Sequence, residues 1–422
     1  MDLRVDTVAP GWSRTFPVPP SKSMHQRALA LGALARGPAT LVFADDARPP
    51  GEDVQRCAAA FARLGTWQGD ALGSSKASLT LDLGESGTAL RFAVALAALR
   101  PVGARTLVRA RPVLLRRPHG PLLRALGALG GSLKRRSSGA IRVVAGGLRH
   151  GGRVTIDMRR SSQYASALAL IAPRLGGLTL DLRGASTSRA YLDLTLAMLR
   201  EAQVPVEAGA TRVVIGAADP IAPTLRVEAD ASAAACWWTA ATLTGGRAFV
   251  QGLDAAGPQA DLAILPILES YGARVERDAG WISVQGPSRL AAGGTHDLTA
   301  NPDLIFLVGA LGACAPGMTR IGGVAHTRAK ESDRVAVLAA GLAALGVPVT
   351  VGPDHALAIE GGSPRGGLVR VAGDHRAAFG FGVLGLAVPG IALRGAAAAS
   401  KSQPGFLADL AALGREGSDS QV

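Results

Sequence analysis

The densest chemistry in the chain is "HTRAKESDRV", which places Lys330, Glu331, Asp333 and Arg334 within five positions. A carboxylate beside cations ordinarily forms a salt bridge. Two carboxylates whose surroundings push their proton affinities apart can instead divide acid and base work. "NPDL" supplies a further carboxylate, Asp303, at the mouth of an apolar stretch, and "DHRAAFGF" adds His375 and Arg376 at the mouth of another. A guanidinium fork suits a ligand carboxylate. Two other clusters are rich in hydroxyls. "PPSKSMHQRALALGAL" sets Lys22 between Ser21 and Ser23, with Arg27 one helical turn on, so the two cations diverge and can hold different acidic groups. "SSQYASAL" offers Ser161, Ser162 and Gln163, donors suited to phosphate oxygens.

All of these clusters open or flank helices that repeat along the chain. Small or polar residues introduce an Ala/Leu-rich helix six times, from Ser21, Glu85, Ser161, Asp230, Asn301 and Asp374, with successive starts 64 to 76 positions apart. That spacing exceeds the usual solenoid range of ~20–50 residues, so each repeat should be a small α/β module. A second helical pattern follows in each repeat, in five cases with glycine placed to cap its end, as in "EDVQRCAAAFARLG", "RVAVLAAGLAALG" and "FLADLAALG". Short alternating runs such as "SLTLDL", "RVTIDM", "LTLDLR" and "WISVQG" read as strands. A βαβαββ unit is the simplest fit. The first helices, for instance "ALALGALA" and "AVALAAL", lack a polar face and must be buried. Their Ser, Thr, Asn and Asp starts cap free amides, and those same amides attract anions.

Composition narrows the classes of function. The chain has 422 residues, 48% of them apolar and 4% aromatic, enough for two or three domains with ample core. It carries a formal charge of +13, with five lysines against forty arginines. Three of those lysines, Lys22, Lys330 and Lys401, lie in polar clusters, where a compact ammonium and a guanidinium are not interchangeable. The arginines are scattered singly and aromatic stacking platforms are few, which argues for attraction of small anions over nucleic acid. Cys57, Cys236 and Cys314 show no paired spacing, and the histidines show no ligand spacing, so no metal site and a reducing compartment are expected. No signal-like or membrane-spanning stretch is evident, and the reading is of a soluble cytoplasmic protein with no membrane partner.

"PPSKSMHQRAL", "LGESGTALR", "RRPHGPLLRALGALG", "SSQYASAL", "SRAYLDLTL", "VEADASAAA", "NPDL", "AKESDR", "DHRAAFGF" and "SKSQPGF", in unbroken order from Pro19 to Phe406, resemble the blocks of the enolpyruvyl transferase family. The resemblance implies a two-domain inside-out α/β barrel of six βαβαββ repeats with buried central helices. Residues 21–226 would form one domain of three units, and residues 1–20 with 227–422 the other. It also implies transfer of the enolpyruvyl group of phosphoenolpyruvate to the 5-hydroxyl of shikimate 3-phosphate, domain closure around the latter, no cofactor, and action as a monomer.

Carried over by matching position, the resemblance assigns Lys22, Asp303 and Glu331 to catalysis, with Glu331 the proton donor to the methylene carbon. Lys22, Ser23, Arg27, Ser161, Ser162, Gln163, Ser188, Tyr191, Asp303, His326 and Lys330 would meet shikimate 3-phosphate. Lys22, Gly87, Arg117, Gln163, Arg334, Arg376 and Lys401 would meet phosphoenolpyruvate, with Arg334 and Arg376 on its carboxylate. Arg111-Pro112 competes with Arg117-Pro118 for one match, and the latter is chosen because "GPLLRAL" follows at the right distance. Three positions depart from the family pattern: Glu85 and His326 stand where asparagine is usual, and Gln403 where an aromatic is common. A carboxylate at Glu85 beside a bound phosphate would be repulsive unless it turns away or pairs with a cation such as Arg117. The alternatives are the sibling activity on UDP-N-acetylglucosamine, whose loop cysteine is missing between Arg111 and Arg117, and a silent relative binding anionic metabolites or RNA.

Overall fold

The protein is described by a computed structural model covering residues 2–36, 39–44, 47–184, 187–219, 224–278 and 280–418. Its chain forms two compact units, an N-terminal unit of residues 22–42 and 52–227 and a C-terminal unit of residues 1–21, 43–51 and 228–422. Residues 43–51, expected inside the domain spanning 21–226, group instead with the C-terminal unit, so the chain passes between units four times.

In the N-terminal unit, Leu79–Asp82, Arg105–Arg109, Ile141–Val144 and Ser132–Arg135 lie side by side in that order. The first pair is parallel and the others antiparallel, which is what a helical crossover followed by a hairpin produces. Arg153–Asp157, Gly177–Arg183, Arg212–Gly216 and Val206–Ala208 repeat the arrangement. The remaining module is split: Leu41–Val42 pairs with the returning strand Leu225–Arg226, and Trp67–Gln68 with Ala71–Leu72. Helices Lys22–Leu34, Gly87–Ala97 and Gln163–Ile171 pack on one another at the centre. Every residue from Ala89 to Ala97 is buried, including Arg91, so this helix has no solvent face.

The C-terminal unit follows the same plan around helices Ala231–Thr244, Ile305–Cys314 and His375–Ala387. Its sheets borrow from the start of the chain. Ser13–Thr15 lies parallel to Arg247–Gln251, and Asp2–Arg4 pairs antiparallel with Ile391–Arg394. Phe16, 1% exposed, stacks on Trp237 with ring centroids 4.3 Å apart, so the N-terminal segment helps close this core. Among the described residues the strands form separate sheets and no closed strand barrel. What is inside out is the layering, with apolar helices central and sheets around them.

The outer helices are amphipathic, as their periodicity requires. One expected cap differs. Gly414 does not end its helix, which runs Phe406–Ser418. A Cβ there would sit 2.9 Å from the Asp6 carbonyl oxygen, so close approach of the N-terminal segment accounts for the glycine.

Candidate active site

In the N-terminal unit, Lys22, Ser23, Gly87, Ser161, Ser162 and Gln163 lie at the starts of central helices, where unpaired amides collect, while Arg117 precedes helix Gly120–Ala128 and Ser188 and Tyr191 open helix Arg189–Glu201. Lys22 is the first residue of its helix, and its Nζ lies 3.3 Å from Asp53 Oδ2. Gln26, one turn on, donates to the Asp53 carbonyl at 3.2 Å and to Ser86 Oγ at 2.9 Å. Ser86 in turn caps helix Gly87–Ala97 by accepting from the Ala89 amide. A carbon added at Gly87 would stand 3.0 Å from Arg91 Nη1, 3.3 Å from Arg117 Nη1 and 3.5 Å from Gln163 Oε1. Two guanidiniums and a carboxamide thus converge on bare backbone. Arg91 donates to Gln163 Oε1 and packs over the Tyr164 ring at 5.0 Å.

Arg27 is placed differently from a free ligand clamp. It is 1% exposed and donates to Thr195 Oγ1, the Ser23 carbonyl and the Tyr191 carbonyl, each at 2.7 Å. Burial pushes its pKa down to about 10. Arg27 therefore ties the helix bearing Lys22 and Ser23 to the one bearing Tyr191, and offers a ligand only its remaining donors. Ser161 Oγ accepts from the Gln163 amide, and Ser162 precedes helix Gln163–Ile171 without a side-chain cap. Ser188 has φ of +52°, a left-handed conformation costly for serine, at the start of helix Arg189–Glu201. Glu85 forms an ion pair with Arg111 Nη1 at 3.7 Å.

In the C-terminal unit, Asp303 is the hub. Its Oδ1 lies 2.6 Å from Arg334 Nη1 and 3.5 Å from Lys330 Nζ, and its Oδ2 lies 3.3 Å from Arg376 Nη2. Burial would push the Asp303 carboxyl up, but Lys330, Arg334 and Arg376 together hold it well below its ordinary value. It is an ionised carboxylate at neutral pH. Arg334, 1% exposed, also donates to Glu331 Oε2 and Asp374 Oδ2, both at 2.9 Å. Its burial is outweighed by Asp374, Asp303 and Glu331, which hold it well above its ordinary pKa. Every guanidinium nitrogen of Arg334 already meets a carboxylate, which leaves little of its donor capacity for a ligand carboxylate unless Glu331 or Asp303 gives way. Asp374 caps helix His375–Ala387 through the Arg376 amide, and Lys401 Nζ donates to the neighbouring Gly373 carbonyl at 2.9 Å. Burial, with Lys330 next, pushes His326 down to about 4, so it is neutral at physiological pH.

Each unit therefore assembles its own share of the predicted residues: Lys22, Ser23, Arg27, Gly87, Arg117, Ser161, Ser162, Gln163, Ser188 and Tyr191 in one, and Asp303, His326, Lys330, Glu331, Arg334, Arg376 and Lys401 in the other. The sequence reading missed Asp53, Arg91, Asp261 and Asp374. Arg91 carried a usable signal, a charge on a helix otherwise apolar all round. Asp53 carried none, because an acid in the first turn of an exposed helix is ordinary dipole chemistry. Among the described residues no group of three or more His, Cys, Asp or Glu side chains is disposed to hold a metal, and no helix is long and apolar enough to cross a membrane.

The profile of the EPSP synthase (3-phosphoshikimate 1-carboxyvinyltransferase) family matches residues 13–410. The chain is 34% identical to the 3-phosphoshikimate 1-carboxyvinyltransferase of Methanosphaerula palustris, over 94% of this chain and 96% of that protein. It is 37% identical to the protein of the same name from Syntrophobacter fumaroxidans, over 92% and 94% respectively. In fold it is similar to the EPSP synthase of Acinetobacter baumannii, with a TM-score of 0.78 at 23% identity and 97% of each chain covered. It is also similar to the enolpyruvyl transferase NikO of Streptomyces tendae, with a TM-score of 0.70 at 19% identity over 98% of this chain and 97% of the other.

Proposed function

The chain belongs to the EPSP synthase family, and from that membership we propose how its own residues carry the reaction. The enzyme transfers the enolpyruvyl group of phosphoenolpyruvate to the 5-hydroxyl of shikimate 3-phosphate, releasing phosphate, within aromatic amino acid biosynthesis. The observation that carries the assignment of roles is the convergence of Lys330, Arg334 and Arg376 on Asp303.

Shikimate 3-phosphate binds through its phosphate to Ser161, Ser162 and Ser188 and through its carboxylate to Ser23 and Arg27, with Gln163 and Tyr191 lining the pocket. Asp303, Lys330 and His326 meet its ring hydroxyls; the ionised Asp303 accepts from the attacking hydroxyl and orients it. Phosphoenolpyruvate places its phosphate against Lys22, Gly87, Arg117, Gln163 and Lys401 and its carboxylate against Arg376, with Arg334 yielding one carboxylate to assist. Glu331 protonates C3 as the 5-hydroxyl oxygen bonds to C2 and passes its own proton to Asp303, giving a tetrahedral intermediate. Glu331 then takes a proton back from C3 as phosphate leaves with the proton from the hydroxyl, which restores the double bond and both carboxyl groups. Charged donors fixed in place before the reaction stabilise the developing charge without reorganising. No cofactor enters these steps. A cytoplasmic enzyme acting as a monomer completes the proposal.

Purified protein should release inorganic phosphate only when both substrates are present, and none with UDP-N-acetylglucosamine as acceptor. Absence of release with both substrates, from folded protein, overturns the reading.

A further inference from the structure

Arg376 Nη2 faces two carboxylates. It lies 3.3 Å from Asp303 Oδ2 and 3.8 Å from Asp261 Oδ2. Asp303 also answers to Arg334 and Lys330, whereas Asp261 has a different setting. It sits on the short turn Ala260–Ala263, is 2% exposed, and its Oδ2 accepts from Ser232 Oγ on the first turn of helix Ala231–Thr244.

The turn itself is pinned. The Asn301 side chain donates to the Ala260 carbonyl. Gln259 accepts from the Ala231 amide at 3.1 Å and donates to the Ala229 carbonyl and Glu228 Oε2, each at 2.8 Å. Asp261 is thus carried by an element tied to the starts of two central helices and directed at an arginine on the third.

We propose that Asp261 is a positioning residue for Arg376, keeping its guanidinium oriented for the phosphoenolpyruvate carboxylate when ring hydroxyls of the acceptor draw Asp303 away. The inference rests on the reading above that Arg376 receives that carboxylate. A carboxylate has about four acceptor sites, and three cations already compete for Asp303. A substrate hydroxyl arriving there weakens the hold on Arg376, whose contact is longer than that of Arg334. Asp261 makes its own contact with the same Nη2 and is anchored separately by Ser232.

The groups facing Asp261 are Ser232, Cys236 and the cap residue Asp230 from helix Ala231–Thr244, Asp303 from the turn Pro302–Leu304, and Arg376 from helix His375–Ala387. Burial pushes the Asp261 carboxyl up from its ordinary value, with Arg376 opposing and Asp303 reinforcing. The anchor therefore weakens as pH falls through a range above that of an ordinary aspartate.

The test is steady-state kinetics on the full chain with Asp261→Asn and Ser232→Ala. Asp261→Asn should raise KM for phosphoenolpyruvate about tenfold, with KM for shikimate 3-phosphate and kcat changed less than about twofold. Ser232→Ala should move KM for phosphoenolpyruvate the same way by a smaller factor. In wild type this KM should climb toward acid pH, and in Asp261→Asn it should be flat over the same range. If Asp261→Asn fails to fold, Ser232→Ala alone decides. An unchanged KM for phosphoenolpyruvate in a folded, active variant overturns the inference. Equal losses in every constant do so too, by reducing Asp261 to a structural role. Inactive wild type would instead remove the underlying functional reading.

Discussion

Arg334 and Asp374 form a buried pair, with Arg334 Nε 2.9 Å from Asp374 Oδ2 and side-chain exposures of 1% and 0%. Removing the arginine leaves Asp374 charged and buried without its cation. Arg334→Met should therefore lower stability by about 3–5 kcal/mol as well as abolish turnover. Urea unfolding at neutral pH checks the first effect, and an unchanged midpoint would show that the pair contributes nothing to the fold.

Glu331 Oε2 accepts from Arg334 Nη2 and keeps 19% of its side chain exposed, so it is reachable by a substrate. Glu331→Gln preserves shape but not proton transfer. Turnover should fall about 10²–10⁴-fold while calorimetric affinity for shikimate 3-phosphate stays within about twofold. Loss of binding in proportion to turnover would move Glu331 from proton donor to structural support.

At Gly87 a methyl group would meet Arg91 Nη1 at 3.0 Å and Arg117 Nη1 at 3.3 Å. Both are ends of long side chains that can give way, so the variant should fold. Gly87→Ala should raise KM for phosphoenolpyruvate about tenfold and leave that for shikimate 3-phosphate nearly unchanged. Parallel increases in both constants would argue against a phosphoenolpyruvate site at this glycine.

Burial pushes His25, His119 and His326 from 6.5 down to about 4. As pH drops below 6.5 the unfolded chain takes up protons that the folded chain refuses, so stability should fall through the window from 6.5 to about 4. Asp303, held well below the ordinary carboxylate range, loses its contribution only at lower pH; Asp261 and Asp409, raised by burial, act in the opposite direction. His119 is 2% exposed with Nε2 on the Leu114 carbonyl at 3.0 Å. His119→Asn should flatten part of the decline in urea midpoint, and an equally steep profile would mean that His119 titrates normally in the folded state.

Central helices, their starts and most strands were legible because each is written in local terms. "AVALAAL" has no polar face, and "RVTIDM" alternates as Arg153–Asp157 does in its sheet. The clustering of Lys330, Glu331 and Arg334 was legible because three residues share one short run. Illegible were the partners that only tertiary packing supplies. Asp261 lies 42 positions from Asp303, and nothing in "QADLAILP" marks its aspartate as facing Arg376. The contact of Arg334 with three carboxylates also escaped a linear reading, since Asp374 reads simply as the cap of the next helix. Ranges fared worst where the chain changes units, as at residues 43–51, because a short loop carries no hydrophobic period.

Asp2 and Arg394 are joined by two hydrogen bonds across 392 positions, the edge of a sheet begun by one end of the chain and finished by the other. During synthesis Ser13–Thr15 must wait, unpaired, until Arg247–Gln251 exists, and Asp2–Arg4 until Ile391–Arg394 does. Folding of that lobe should be slow and post-translational, prone to trapping if the early segment finds another edge first. Expressing residues 228–418 by themselves should yield aggregation, relieved by co-supplying a peptide of residues 2–21.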